Sequence, residues 1–103
     1  MMNKTEYKKI DERLFFAVSK SGLRVNVIPK KGFNSFYAVF AADYGGAKRK
    51  FTVGKETFDT PAGVAHYLEH KMFDMPDGDN ALTVLTNNGA DPNAFTSSDM
   101  TAY

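Results

Sequence analysis

Apolar residues along this chain follow two periods, a strand-like one in the first half and a helix-like one after it. Arg13 to Lys20 (RLFFAVSK) is an apolar run between charges and reads as a strand. Ser21-Gly22 follows as a two-residue turn signal. From Leu23 to Pro29 the pattern alternates, with Leu23, Val25 and Val27 on one face and Arg24, Asn26 and Ile28 on the other. Together these predict a hairpin half-exposed to water. Phe36 to Ala42 is apolar on both faces, the pattern of a central, doubly covered strand. Beyond it the period changes. Val64, Leu68 and Met72 recur every four residues, as in the core stripe of a helix. Thr60 offers an N-cap and Pro61 the first helical position, so a helix is expected from Pro61 to about Phe73.

The remaining segments lack a clear period. Residues 1–12 are polar and charged and read as a loose arm. Tyr44 to Asp59 (YGGAKRKFTVGKETFD) is rich in glycine and charge and reads as a long loop. Asp74 to Asn80 reads as a turn. Asp79 is placed to cap a second helix, Asn80 to Asn88, with Leu82 and Leu85 inward and Gly89 at C′. Pro92 to Tyr103 (PNAFTSSDMTAY) reads as a final strand. Residues 13–103 therefore predict one α+β domain, an antiparallel or mixed sheet with helices packed on it.

Composition narrows the function. The 103 residues suffice for one small domain, and 43% hydrophobic content is that of a globular chain. Net charge is +1, which makes no electrostatic case for nucleic acid. Charge is unevenly spread, however. Residues 1–50 carry 11 Lys/Arg against 4 Asp/Glu, whereas residues 51–103 carry 2 against 8. The basic clusters Lys30-Lys31 and Lys48-Arg49-Lys50 read as solvated turns, while the acidic half would favour a cation. There is no cysteine, so disulfides and thiolate metal sites are excluded. No apolar signal core opens the chain and no run reaches membrane-spanning length. The expectation is a cytoplasmic protein without nucleic-acid or membrane partners.

The acidic half holds both histidines of the chain, in His66-Tyr67-Leu68-Glu69-His70. This is H-x-x-E-H, the inverted zinc-peptidase helix motif. Histidines four apart on a helix point the same way and can converge on one cation. The glutamate between them can deprotonate a water held there. Burying two imidazoles and a carboxylate without a partner would cost several kcal/mol, roughly, which a metal would offset. Asn93-Ala94-Phe95-Thr96, on its residues alone, reads as an ordinary strand.

Gly63 to Phe73 (GVAHYLEHKMF) resembles the signature of the insulinase-like, or pitrilysin, zinc metallopeptidase family. A second block, Gly89-Ala90 followed by Asn93-Ala94-Phe95-Thr96-Ser97 with Thr101 and Tyr103 beyond, is similar to the strand that follows in that family. The resemblance implies that His66 and His70 bind Zn2+ and that Glu69 is the general base. It implies that Asn93, Ala94 and Phe95 belong to an edge strand pairing with a peptide substrate. It also implies a third ligand, a glutamate on a later helix. The glutamates here are Glu6, Glu12, Glu56 and Glu69, so none follows the motif. Asp74 is a poor substitute, because ligands at i, i+4 and i+8 spread over about 12 Å of helix. The expectation is the N-terminal part of a longer zinc endopeptidase, a partial insulinase-like domain. Alone it would bind zinc weakly, hydrolyse little, and self-associate through uncovered edges. Its partner would be the missing C-terminal remainder or a homologous subunit. The alternative is an inactive peptidase-like subunit or assembly partner.

Overall fold

The computed structural model describes residues 2–103, in two compact units, one ending at Tyr37 and the other running from Ala38 to Tyr103. The first is a three-stranded antiparallel sheet of β1 (Asn3–Tyr7), β2 (Glu12–Val18) and β3 (Arg24–Val27), with β2 in the middle. β2 and β3 form the expected hairpin, with Phe15 opposite Val27 and Ala17 opposite Val25. Its turn is closed by the Ser19 N–H donating to Leu23 O at 2.8 Å, with Gly22 at a φ of 87°.

The polar stretch that reads as a loose arm is β1, paired from Asn3 opposite Phe16 to Tyr7 opposite Glu12. Its composition is no bar to pairing. An edge strand needs a backbone ladder on one side, and its side chains here face water.

The second unit holds β4 (Ala41–Ala42), β5 (Lys50–Val53), β6 (Glu56–Asp59), α1 (Val64–Lys71), α2 (Ala81–Asn87), β7 (Phe95–Thr96) and β8 (Thr101–Ala102). A small antiparallel sheet has the order β4-β8-β7, and α1 packs on β7 and β8. The doubly covered strand expected over 36–42 does not form. Only Ala41 and Ala42 enter the ladder, with Phe40 and Tyr103 exchanging backbone bonds of 2.9 and 2.8 Å beside them. Phe36 and Tyr37 are 94% and 92% exposed. Among the described residues β4 has one neighbour, so an apolar sequence there finds no second layer to enter.

The long loop expected over 44–59 contains a hairpin. β5 and β6 pair antiparallel around Gly54-Lys55, with the Phe51 and Phe58 rings stacked at 5.6 Å between centroids. Its base is tied by Thr60, whose N–H and hydroxyl both donate to Arg49 O at 2.8 and 3.0 Å. That use of the hydroxyl displaces the expected cap. The helix starts at Val64, with Gly63 in the left-handed region at a φ of 90°. A proline at position 61 and a cap at Thr60 would have lengthened it by a turn.

α2 is capped by Asn80, not Asp79, through the Leu82 N–H donating to Asn80 Oδ1 at 2.9 Å. Gly89 follows the helix at a φ of 82°, where C′ requires a residue free to adopt it. Leu82 is half-buried but Leu85 is exposed. The final strand is broken into β7 and β8 by a tight turn over 97–100.

The core is small. Ala65 on α1 and Ala102 on β8 are its buried apolar residues, joined by buried Thr101 and Glu69. The stripe facing the sheet is thus Ala65 and Glu69, not Val64, Leu68 and Met72. Leu68 and Met72 are exposed, and Val64 and Leu68 line an open cavity of about 490 Å³ with Tyr44 and Phe51. Small residues at the contact let helix and sheet approach closely, and that approach brings Glu69 against the strands.

Candidate metal centre

α1 presents its chemistry on two adjoining faces. His66 and His70, four residues apart, are exposed, with their Nε2 atoms 3.1 Å apart and ring centroids at 4.9 Å. Glu69, one residue before His70, turns about 100° away from it around the axis. That rotation carries the carboxylate toward β7 and β8, where Glu69 is 8% exposed. Ligand atoms of all three residues still lie within 4.8 Å of one another.

The buried carboxylate is held by hydroxyl chemistry. The Thr96 hydroxyl on β7 donates a hydrogen bond to Glu69 Oε2. Thr101 on β8 lies alongside, its Oγ1 donating to Tyr44 O at 2.8 Å and sitting 3.5 Å from Thr96 Oγ1. Burial, and secondarily the negative charge of Glu69, push the Tyr103 phenol above its ordinary value of 10.0. Tyr103 is therefore neutral across the physiological range, and its ring meets Phe73 edge-on at 5.7 Å. Among the described residues no buried side-chain nitrogen or oxygen is left without a partner.

The histidine pair fits a divalent cation. Two nitrogens each about 2.0–2.1 Å from a tetrahedral zinc stand about 3.4 Å apart. The pair at 3.1 Å needs only a slight opening to accept one. Without an ion, the same separation is an imidazole–imidazole hydrogen bond with one ring donating and the other accepting. A catalytic zinc takes three protein ligands and keeps one position open. His66, Glu69 and His70 are the one group of metal-ligand side chains among the described residues. Asp74 is engaged elsewhere, its Oδ2 2.6 Å from Lys71 Nζ. That pairing, the hydrogen bond first and the charge second, raises the Lys71 pKa.

The second set of expected site residues lies at the edge of the sheet. β7 is an outer strand in the order β4-β8-β7. Phe95 belongs to it and is exposed, whereas Asn93 and Ala94 precede it. The Asn93 side chain accepts from the Ala94 N–H at 2.9 Å. Thr96 is a residue to which the sequence assigns no role. The signal was its place in the same short block as Asn93, four residues past Asp91-Pro92, but nothing local says that its hydroxyl meets Glu69, 27 residues earlier.

Comparison with known proteins gives a consistent picture. The sequence profile described as insulinase (peptidase family M16) matches residues 55–103. A Bacillus subtilis protein described as "uncharacterized zinc protease YmfH" is 45% identical over 105 residues, covering 100% of this chain. The chain spans 24% of that relative's length. No solved structure matches. Among the described residues no helix is long and apolar enough to cross a membrane.

Proposed function

The chain belongs to the insulinase family of peptidases, and from that premise we propose that it carries the histidine pair and general base of a zinc endopeptidase. The observation that supports this best is the 3.1 Å approach of His66 and His70 beside a buried Glu69. His66 and His70 would hold the zinc. When bound, it supplies Lewis-acid polarisation of the scissile carbonyl and makes a water more acidic. Glu69 accepts the proton of the attacking water as general base. An extended peptide adds along the outer edge at Phe95 of β7 and at Asn93 and Ala94 just before it, where main-chain pairing gives affinity without demanding one sequence. Since β7 packs on α1, that edge runs beside the helix carrying the base.

The third ligand, on this reading, belongs to sequence beyond these residues, and the chain alone binds zinc weakly and hydrolyses little. A cytoplasmic setting is part of the same proposal, consistent with a chain free of cysteine. Equilibrium dialysis tests the metal site: weak zinc binding that disappears in His66→Ala is expected, and binding untouched by that change refutes it. In a protein that includes the remaining ligand, Glu69→Gln should abolish hydrolysis while zinc is retained. Retained hydrolysis would remove Glu69 from the base role.

A second reading, an inactive peptidase-like subunit or assembly partner, draws on the exposure of Phe33, Phe36 and Tyr37. Large apolar side chains in water favour association, with a second copy, a homologous subunit or the remaining part of a longer chain. Light scattering together with metal analysis discriminates: a metal-free complex favours this reading, a zinc-loaded one the first.

A further inference from the structure

Glu69 can meet a cation held by His66 and His70 in two ways, as a third ligand or as a base acting beside it. One of its carboxylate oxygens is close enough for either, within 4.8 Å of a ring nitrogen of each histidine. What separates the two is the orientation of the carboxylate. Its Oε2 accepts the hydroxyl of Thr96, which reaches across from β7. Thr96 is itself fixed, since its strand pairs with β8 at Thr101, a buried residue whose hydroxyl is anchored on Tyr44 O. A carboxylate tied by one oxygen to a rigid donor cannot rotate freely toward the imidazoles.

We infer that Thr96 is a positioning residue: its hydroxyl holds Glu69 in the orientation of a base and keeps it out of the ligand set of the histidine pair. This rests on the reading of His66 and His70 as zinc ligands and of Glu69 as the base. In this role Thr96 acts through Glu69, the site residue that its hydroxyl meets. Its removal frees the carboxylate to swing onto the cation, which turns a two-ligand site into a three-ligand one.

The test titrates zinc alone into the native chain, Thr96→Val, Thr96→Ser, Glu69→Met and the Thr96→Val/Glu69→Met double variant. Thr96→Val keeps the shape and loses the hydroxyl, so zinc should bind it at least about threefold tighter, as an added ligand raises affinity. Thr96→Ser, which restores the hydroxyl, should return to the native value. The gain should vanish in the Glu69→Met background. Equal affinity for Thr96→Val and native, or a gain that persists without Glu69, overturns the inference. Thermal melts without metal form the second arm. The melting-temperature losses of Thr96→Val and Glu69→Met should be far from additive, the double variant losing no more than the larger single loss. Additive losses overturn the role of Thr96 whether or not zinc binds. Non-additive losses with no zinc binding by any variant uphold Thr96 as the holder of Glu69 and refute the metal reading instead.

Discussion

Gly45→Ala should destabilise this chain far more than the same change one residue later. A Cβ at Gly45 would stand 2.5 Å from the backbone nitrogens of Asp99 and Met100 and 2.6 Å from Ser97 O. Ordinary contact begins near 3.4 Å, so about 1 Å must be found. None of the three atoms sits on a side chain that can rotate away. The 97–100 turn must therefore back off from the Gly45-Gly46 segment. That retreat stretches the Gly46 N–H bond to Ser97 O and the Ala47 N–H bond to Ser98 O, both 2.8 Å. Overpacking costs about 1–3 kcal/mol, and each weakened hydrogen bond about 0.5–1.5 kcal/mol. The expected loss is about 2–6 kcal/mol, a large share of the roughly 5–15 kcal/mol typical of a small protein. At Gly46 a Cβ would meet only Ser97 O, at 3.7 Å. Neither glycine sits at positive φ, so alanine strains neither backbone. Gly46→Ala should be neutral, or stabilising by about 0.4–1 kcal/mol through the unfolded chain. Urea unfolding followed by circular dichroism measures both. A Gly45→Ala variant within about 0.5 kcal/mol of native, or equal effects at the two sites, would refute the reasoning. The same turn joins β7 to β8, so its displacement also disturbs Thr96, the donor to Glu69.

Further expectations follow from the caps, the phenol and the exposed aromatics. Asn80→Ala removes the cap of α2 and should cost about 1 kcal/mol in a urea titration, while Asp79→Ala should cost clearly less. The raised pKa of Tyr103 means that the unfolded chain loses the phenolic proton first as pH rises. Stability from this group is therefore intact below the ordinary value of 10.0 and falls as pH climbs from there toward the higher folded value. Melting temperature should show that alkaline decline, and Tyr103→Phe should lessen it; an unchanged decline would assign it to other groups. Phe36→Ser with Tyr37→Ser should reduce self-association in light scattering and leave the melting temperature within a few degrees, since both side chains are in water.

Much of the site was legible because its signals are local. Histidines four apart share a helix face by geometry alone, and α1 places them so. Gly89 needed only its own φ, and the hairpin from β2 to β3 needed only an alternation and a turn. Readings that depended on distant neighbours fared differently. Phe36 to Ala42 has the pattern of a buried strand, yet only Ala41 and Ala42 pair, because burial requires layers that a local pattern cannot supply. The segment from Tyr44 to Asp59 hid a hairpin behind glycine and charge, since cross-strand contacts such as Phe51 on Phe58 form only once register is set.

The clearest division lies on α1 itself. Sequence alone determined that this helix carries His66, Glu69 and His70, and the 3.6-residue turn determined that the imidazoles meet. Only the tertiary structure decided which stripe faces the sheet. Small Ala65 lets α1 approach β8 at Ala102, so the buried face is Ala65 and Glu69 while the larger Leu68 and Met72 remain exposed. That choice gave Glu69 a donor 27 residues later in the chain, a partnership that no helical period encodes.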